Sequence, residues 1–304
     1  MTILEALRWA NNKLKKAGID SPMLDAELLL SCMLQISRAK LFAHFNDPLT
    51  SHQQEKFTTL IERRSEHEPV AYIIGHNYFF GRKFHVNPFV LIPRPDTELL
   101  VQEALDLSTH IEKPERLLFA DIGTGSGVIG ITLAAETPTP VIASDTSAQA
   151  LTIAKHNAQI HQVADRVDVR EGNLLNPLLQ VFAAIKQTSA KPVSSVYPFE
   201  YLIICANLPY ISTSQMKTLQ EDVRSYEPKE ALEAGPDGLE TYWKFFRQLQ
   251  QAREHLPRHV YVIVEIDPSQ TRRMQQLITH EFPSCESETK QDLAGLDRIV
   301  VTKL

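Results

Sequence analysis

Residues 207–210 bring together the polar groups needed to hold a planar amino group. Asn207 offers a side-chain carbonyl and Leu208 a main-chain carbonyl, which together match the two N–H donors of an –NH2 group. Pro209 follows them, and Tyr210 offers an aromatic face on which such a group can rest. The alternative interpretation is an ordinary turn after a strand, because Asn and Pro are frequent turn residues.

A glycine-rich segment earlier in the chain predicts a binding loop for a nucleotide-like ligand. The segment is Asp121-Ile122-Gly123-Thr124-Gly125-Ser126-Gly127. Glycines let the backbone turn tightly and approach a ligand without Cβ collisions. Asp145 ends the next predicted strand, where an acid can accept hydrogen bonds from both ribose hydroxyls.

The spacing of these glycines favours one cofactor over others. It is G-x-G-x-G rather than the G-x-G-x-x-G of dinucleotide enzymes, and no GK[ST] follows to hold a triphosphate. Asp121 would repel a phosphate, but it suits a ligand that carries an amino group and a sulfonium. We therefore predict an S-adenosylmethionine site, with a glycine turn that binds no ligand as the alternative. Asn173 and Leu174 follow the third predicted strand, where we expect either a loop beside the adenine ring or a plain turn.

Together the two segments predict methyl transfer to a planar nitrogen. An amide nitrogen is a poor nucleophile because its lone pair is delocalised into the carbonyl. The acceptors of Asn207 and Leu208 can orient that lone pair towards the sulfonium methyl and stabilise the positive charge that develops on nitrogen. Because the donor is already activated, the reaction needs neither a strong general base nor a metal.

Both segments follow predicted strands. From residue 116 onwards strands alternate with helical stretches, which implies βαβ units and a parallel sheet covered on both faces. The candidate strands are Leu117–Asp121, Val141–Asp145, Val167–Arg170, Tyr201–Cys205, Val260–Glu265 and Arg298–Thr302. An open parallel sheet binds ligands at the carboxyl ends of its strands, so we expect residues 207–210 beside the cofactor, with Asn207 touching it.

The first part of the chain has a different character. Apolar residues spaced by three and four between Ile3 and Leu14 predict a helix, and hydroxyl caps at Ser21 and Thr50 predict two more. Residues 70–94 are rich in aromatic and β-branched residues broken by glycines, which is typical of a hairpin. The runs concerned are Tyr72-Ile73-Ile74, Tyr78-Phe79-Phe80 and Phe84-His85-Val86.

Composition limits the classes of protein. The net charge is −6, and residues 1–70 balance nine basic against nine acidic side chains, so no basic domain for nucleic acid is evident. No apolar run approaches the roughly 20 residues of a bilayer span. The three cysteines are widely spaced, and a proline separates His255 from His259, so we expect neither disulfides nor a metal site. These features favour a cytoplasmic protein that contacts neither membrane nor nucleic acid. They do not determine the oligomeric state, for which we expect a monomer.

With these segments in view, the chain resembles the HemK/PrmC family, the glutamine N5-methyltransferases that act on peptide chain release factors. The resemblance covers nearly the whole length. Its most specific run is Leu91-Ile92-Pro93-Arg94-Pro95-Asp96-Thr97-Glu98. Further matching runs are Asp25-Ala26-Glu27-Leu28-Leu29-Leu30, Glu68-Pro69-Val70-Ala71-Tyr72, Gly235-Pro236-Asp237-Gly238-Leu239 and Asp292-Leu293-Ala294-Gly295-Leu296-Asp297-Arg298.

The resemblance implies an α/β fold with three parts. A class I, Rossmann-like S-adenosylmethionine-dependent methyltransferase domain would span residues 95–304, a small helical substrate-recognition domain residues 1–70, and a β-hairpin linker residues 71–94. Gly123 to Gly127 and Asp145 would hold the cofactor, with Asn173 and Leu174 near its adenine. Asn207, Leu208, Pro209 and Tyr210 would form the catalytic and glutamine-binding loop. The substrate would be the glutamine of a Gly-Gly-Gln tripeptide in class 1 release factors.

One departure from the family pattern leaves alternatives open. The family has Asn-Pro-Pro-Tyr, whereas this chain has leucine at position 208, which keeps the main-chain carbonyl but loses the fixed φ of proline. Asn-Leu-Pro-Tyr also resembles the ribosomal RNA adenine N6-dimethyltransferases, and adenine presents the same planar –NH2 group. An adenine N6-methyltransferase acting on RNA or DNA, a ribosomal-protein glutamine methyltransferase and a non-catalytic cofactor-binding scaffold are therefore the alternatives. The flanking matches favour glutamine.

Several other residues have two interpretations. Arg94, Asp96 and Glu98 either touch the substrate, with Arg94 as the binding residue, or form a structural ion network. Glu265 follows an apolar strand and is either an acid/base group or an anchor for a nearby loop. Residues 181–200 predict a partly polar insertion loop to which we assign no chemistry.

Overall fold

The computed structural model describes residues 1–188 and 198–304, and it confirms the predicted α/β class. Its helices are α1 Ile3–Lys16, α2 Pro22–Leu34, α3 Arg38–Ala43, α4 Ser51–Ser65, α5 Val70–Ile74, α6 Thr97–Thr109, α7 Val128–Glu136, α8 Ala148–Ile160, α9 Asn176–Thr188, α10 Glu221–Tyr226, α11 Glu240–Ala252 and α12 Thr271–Glu281. Its strands are β1 His76–Phe79, β2 Arg82–His85, β3 Leu117–Ile122, β4 Val141–Asp145, β5 Val167–Glu171, β6 Tyr201–Ala206, β7 His259–Glu265, β8 Glu286–Gln291 and β9 Asp297–Lys303. None of the helices in these ranges combines the length and apolar character that a bilayer span needs.

The central sheet has seven strands within the described ranges, in the order β5-β4-β3-β6-β7-β9-β8. The strands from β5 to β7 are parallel, while β9 runs antiparallel to β7 and β8 antiparallel to β9. All six predicted strands are present. We missed β8, because Glu286–Gln291 is a polar, largely exposed edge strand without the apolar alternation that marks a strand in sequence.

Strand β3 lies at the centre of this sheet and is buried along its whole length. Leu118, Ala120 and Ile122 pack into the apolar cluster on one face, and Leu117 and Phe119 into the cluster on the other. Alternate side chains of a strand point to opposite faces, so a strand covered on both sides is apolar throughout. This burial gives the loop after Ile122 a rigid support.

The predicted strand character of residues 72–74 was wrong. The run Tyr72-Ile73-Ile74 lies in helix α5, which is preceded by Pro69 and ends at Gly75 with φ +77°. A short apolar run fits a buried helix turn as well as a strand, and the proline and glycine bound it here as a helix. The hairpin itself is β1 and β2, which meet at a tight turn.

The predicted insertion loop over residues 181–200 is also partly wrong, because helix α9 continues to Thr188. Leu178 and Phe182, four residues apart, are completely buried in the core beside the sheet, and this spacing gives the helix its apolar face. Residues 189–197 lie outside the described residues.

The contacts of the chain divide it into two compact units. The first comprises Met1–His76, Val86–Pro88 and Leu219–Glu227, and the second Asn77–His85, Phe89–Thr218 and Pro228–Leu304. The predicted caps Ser21 and Thr50 both precede helices in the first unit. Thr50 forms a capping box, as does Thr2 before α1, whereas the Ser21 side chain makes no capping hydrogen bond. The second unit contains the seven-stranded sheet, the glycine-rich loop and the Asn-Leu-Pro-Tyr loop.

A buried ion pair lies inside the first unit. Arg64 Nε donates to Asp25 Oδ2 at 2.7 Å, and both side chains are about nine-tenths buried. Asp222 Oδ2 lies 3.6 Å from Arg64 Nη2. Burial raises the pKa of Asp25 even though Arg64 acts in the opposite direction. The Asp222 carboxylate adds to this rise, so Arg64 does not fully compensate for the burial of Asp25 beside a second carboxylate.

We predict that Arg64→Met destabilises the protein by about 3 to 5 kcal/mol, because it leaves the Asp25 carboxylate buried without its cation. Adding Asp25→Leu should recover much of that loss, since the unpaired charge is then gone. Chemical denaturation of both variants measures the difference. A double variant as unstable as Arg64→Met would show that packing, and not charge, holds this position.

Candidate active site

The glycine-rich loop and the Asn-Leu-Pro-Tyr loop lie side by side. They follow neighbouring parallel strands, β3 and β6, whose last residues Ile122 and Ala206 are paired. A Cβ added at Gly123 would lie 2.9 Å from Leu208 Cδ2 and 3.9 Å from the main-chain oxygen of Asn207. Gly123 has φ +76°, a conformation that side chains disfavour. The structure thus brings the predicted cofactor-binding and acceptor residues together.

Main-chain hydrogen bonds fix the shape of the glycine loop. The Gly123 and Thr124 N–H groups both donate to Ser144 O, at 2.8 and 2.9 Å. Gly125 N donates to Asp145 Oδ2 at 2.9 Å, and an added Cβ there would meet nothing within 4 Å. The loop is therefore held from the β4 side and has open space next to Gly125.

Asp145 has one role in the loop and room for a second. Its Oδ1 accepts from Ser147 N at 2.9 Å, while its Oδ2 accepts from Gly125. Each carboxylate oxygen carries two lone pairs, so each can accept one further hydrogen bond. Asp145 is the last residue of β4, as the sequence predicted, and its side chain is half-buried.

Asp121 lies beneath the loop and is completely buried. Its Oδ2 accepts from Thr124 Oγ1 at 2.6 Å and from Gly130 N at 2.9 Å, which ties the loop to helix α7. Its Oδ1 has no hydrogen-bond partner among the described residues. Burial raises the pKa of this carboxyl to about 6, although the bonds from Thr124 and Gly130 act against the rise.

Asn157 is a further residue of this region that we did not predict. It lies on helix α8, is completely buried, and donates through Nδ2 to Ser126 O at 2.8 Å. It also exchanges two hydrogen bonds with the main chain of His85 in β2. The sequence shows a polar residue among the apolar residues of this helix face, but it does not show that its partners are Ser126 and His85.

The loop after β5 is linked to the glycine loop through Ser144. Leu174 has φ +50°, and its carbonyl accepts from Ser144 Oγ at 3.3 Å. Ser144 O is the acceptor that holds Gly123 and Thr124. Leu174 is half-buried and Asn173 is exposed. The loops after β3 and β5 are thus both hydrogen-bonded to Ser144 in β4.

The acceptor loop is anchored by side chains from later elements. Leu208 N donates to the Tyr242 hydroxyl at 3.2 Å, and that hydroxyl donates to Glu265 O at 2.6 Å. Gln270 Nε2 donates to Tyr210 O at 2.8 Å. Gly238, with φ +74°, packs so closely on Tyr210 O that an added Cβ would lie 2.3 Å from it. This contact explains why the run after Gly235 needs its second glycine.

Two buried polar side chains reach the ends of this loop. Asn207 Nδ2 donates to Thr97 Oγ1 at 3.1 Å, and the Tyr210 hydroxyl donates to Glu265 Oε1 at 3.1 Å. Thr97 and Glu265 are only 3% and 2% exposed. Burial raises the pKa of Glu265 to about 7, opposed by hydrogen bonds from Thr97 and Tyr210. The Asp96 carboxylate adds to the rise, and the Arg298 guanidinium acts against it.

The charged side chains of the run after Pro93 interact with different parts of the domain. Asp96 forms an ion pair with Arg298 at 3.1 Å, and Arg298 also bonds Asp292 at 2.8 Å. Glu98 Oε1 accepts from the main-chain N–H of Phe80 at 2.7 Å, in the turn of the β1–β2 hairpin. The charge of half-buried Arg94 lowers the pKa of Tyr210, although burial and Glu265 act in the opposite direction and prevail. Asp96 and Glu98 therefore have structural partners.

In the described ranges, no group of three or more His, Cys, Asp or Glu side chains is arranged to hold a metal ion. His259 begins β7, and its ring stacks on Tyr201 with the centroids 4.9 Å apart.

Comparisons with known proteins agree over the whole chain. Residues 5–75 match the PrmC N-terminal domain, and residues 97–185 match the methyltransferase small domain. The release factor glutamine methyltransferase of Bacillus subtilis is 36% identical over 301 residues, covering 98% of this chain and 96% of that protein. The protein of the same name from Bacillus anthracis is 33% identical, with 100% of both chains covered.

A solved structure supports the fold. The hMettl16 catalytic domain in complex with MAT2A 3'UTR hairpin 6 matches with a TM-score of 0.51 at 14% identity, covering 83% of this chain and 81% of that one. The sheet, its paired loops and these likenesses define a methyltransferase with a Rossmann-like domain. Within that class, the chain belongs to the release factor glutamine methyltransferase family.

We predict that Leu208 and Tyr242 are energetically coupled. Tyr242→Phe should cost about 1 to 3 kcal/mol, because it leaves the Leu208 N–H and the Glu265 carbonyl without this hydroxyl. Leu208→Pro removes that N–H, so the same tyrosine change should cost about 1 kcal/mol less in the proline background. A double-mutant cycle of unfolding free energies measures the coupling. Equal costs in both backgrounds would show that the hydroxyl does not brace the loop.

We also predict that the two buried carboxyls make stability fall as pH rises. Their folded pKa values, about 6 for Asp121 and about 7 for Glu265, exceed the ordinary values of 3.8 and 4.5. The folded protein therefore binds more protons than the unfolded chain between about pH 4 and 7, and the free energy of unfolding declines across that window. Glu265→Gln should make the decline shallower between about pH 4.5 and 7, as followed by denaturation at several pH values. Glu55→Gln, at an exposed position of α4, is the control, and an equal slope in both variants would contradict the assignment to Glu265.

Proposed function

We propose that this protein transfers a methyl group from S-adenosylmethionine to the side-chain amide nitrogen, N5, of a glutamine. The target is the glutamine of a Gly-Gly-Gln tripeptide in class 1 peptide chain release factors. The observation that carries the proposal is the contact between the glycine loop and the acceptor loop, where Gly123 faces Leu208. A methyl donor in the first loop and an amide in the second would be neighbours.

The glycine loop fits the proposed cofactor. The open space at Gly125 leaves room for a ligand against the main chain, and Asp145 keeps free lone pairs for ribose hydroxyls. The unpartnered Asp121 Oδ1 favours a cationic ligand nearby, because a positive charge stabilises a buried carboxylate. Thr124 and Ser126 shape the loop, and Asn173, Leu174 and Asn207 would border the adenine and the methyl group. When bound, S-adenosylmethionine supplies an electrophilic methyl on a sulfonium.

The acceptor loop fits a carboxamide. Asn207 Oδ1 and the Leu208 carbonyl would accept the two N–H bonds of the glutamine, and the Tyr210 ring would support its plane. Held in this way, the nitrogen lone pair points away from both acceptors, and the two oxygens stabilise the positive charge that forms on nitrogen. The proton then leaves to solvent during or after transfer. Pro209 keeps the backbone between the acceptors and the ring restricted in φ.

Recognition of the whole substrate protein belongs to other parts of the chain in this proposal. The helical residues 1–70 serve as the recognition domain, and residues 71–94 link them to the catalytic residues 95–304. The likeness of residues 5–75 to the PrmC N-terminal domain supports this division. Arg94, whose charge acts on Tyr210, would bind the substrate beside the acceptor loop. A release factor substrate implies that the reaction takes place in the cytoplasm.

The proposal predicts a specific labelled product. Purified protein incubated with S-adenosylmethionine carrying a labelled methyl group should label a class 1 release factor, and mass spectrometry should find the methyl group on the Gly-Gly-Gln glutamine. The same factor with this Gln→Ala is the matched control and should stay unlabelled. Equal labelling of both factors would refute the target. Label on an adenine-containing RNA but not on the factor would instead support the adenine alternative.

Asn207→Ala should lower turnover by about 10²-fold or more while the Kd for S-adenosylmethionine changes little, because it removes one positioned acceptor. Steady-state kinetics and calorimetric titration of the cofactor check the two expectations. Asn176→Ala is the control, at an exposed asparagine whose side chain bonds Gln248 on α11. An Asn207→Ala enzyme as fast as this control would mean that the acceptor site lies elsewhere.

A further inference from the structure

The proposed reaction depends on which end of the Asn207 carboxamide faces the substrate. A carboxamide has an acceptor oxygen and a donor nitrogen of similar size, so shape alone does not select its orientation. The nitrogen facing the glutamine would oppose the N–H groups that must be held. In the structure, Nδ2 is the end that is engaged within the protein, through its bond to Thr97 Oγ1 at 3.1 Å.

The partner of Thr97 explains why the nitrogen is engaged. The Thr97 hydroxyl also interacts with the side chain of Glu265, which is almost completely buried, and it lowers the pKa of that carboxyl as a hydrogen-bond donor does. When Glu265 is ionised, its carboxylate can only accept, so the single hydroxyl proton of Thr97 is used towards it. The Thr97 oxygen then has lone pairs to offer and no proton to give. Only the –NH2 end of Asn207 can bond to it.

The same carboxylate orders the other end of the loop. The Tyr210 hydroxyl donates to Glu265 Oε1 at 3.1 Å. Glu265 therefore acts on Tyr210 directly and on Asn207 through Thr97, and both residues belong to the segment 207–210. Thr97 begins α6 and Glu265 ends β7, far from residues 207–210 in sequence. The arrangement therefore requires the folded domain and is not a local property of the loop.

We propose that Glu265 and Thr97 are positioning residues that set the polarity of Asn207, so that its Oδ1 is the end left to accept the N–H of the substrate amide. The inference rests on the proposed glutamine methylation. Neither residue transfers a proton in it. They act through Asn207 by fixing which atom of the carboxamide is presented.

The burial of Glu265 supports a role other than stability. Its Oε2 has no hydrogen-bond partner among the described residues. A carboxylate buried in this way costs folding free energy, so an uncharged isostere should be tolerated or should stabilise the protein. Function and stability are therefore expected to separate at this position, which a purely structural role would not produce.

Thr97→Val tests the inference most directly, because valine keeps the shape of threonine and removes only the hydroxyl. We expect kcat with the release factor to fall at least about tenfold, with the Kd for S-adenosylmethionine within about twofold of the parent. Thr97→Ser restores a hydroxyl and should recover most of the lost turnover. Thr302→Val is the matched control, since Thr302 is also completely buried but its hydroxyl has no partner among the described residues.

Glu265→Gln provides a second test that does not depend on the valine variant folding. It replaces one acceptor oxygen with an N–H donor, which lets Thr97 turn its proton to Asn207 and reverse the carboxamide. We expect kcat to fall by a similar factor while the Tm at neutral pH stays equal or rises.

Three outcomes overturn the inference. They are Thr97→Val turning over as fast as Thr302→Val, Thr97→Ser remaining as slow as Thr97→Val, and Glu265→Gln losing activity only in proportion to a loss of folded protein. If the parent enzyme labels the factor and any of these three outcomes is found, only the positioning role of Thr97 and Glu265 is refuted. If the parent enzyme never labels the factor, the proposed methylation is refuted, and the positioning role is refuted with it.

Discussion

The parallel pairing of β3 with β6 is the constraint on which the rest of the site depends. Because Ile122 is registered against Ala206, the chain leaves the sheet at the same level in two adjacent places. The two loops therefore pack against each other where Gly123 faces Leu208. A shift of one residue in this register would turn every side chain of β6 to the opposite face and separate the loops. The site is therefore specified first by the burial of two apolar strands.

Around this register, polar side chains from other elements give the loops their detailed shape. Asn157 from α8 holds the glycine loop, and Tyr242 from α11 holds Leu208. Gln270 holds Tyr210 at its carbonyl, while Glu265 holds it at its hydroxyl. Loops supported from several directions lose little further entropy when a ligand binds, which is the physical meaning of a preorganised site.

The sequence predicted the elements better than it predicted these supports. All six apolar strands and both loops follow from local patterns, because periodicity and glycine spacing are properties of neighbouring residues. The polar edge strand β8 and the helical run at Tyr72 were mistaken because their patterns are weak or ambiguous. Thr97, Asn157 and Tyr242 were not predicted as supports, because each acts on a loop residue between 31 and 110 residues away in the chain. Glu265 was noticed, but only the fold gave it partners.

The polar character of β8 has a consequence for how the domain meets other molecules. An edge strand has unpaired main-chain N–H and C=O groups that can recruit a strand from another chain. Here that edge carries Glu286, Glu288 and Lys290, with Lys290 paired to Glu288 at 2.9 Å. Charged side chains along an edge are among the devices by which sheets avoid aggregation. Addition of a strand at this edge of the sheet is therefore disfavoured, and a second molecule is more readily accommodated on another surface.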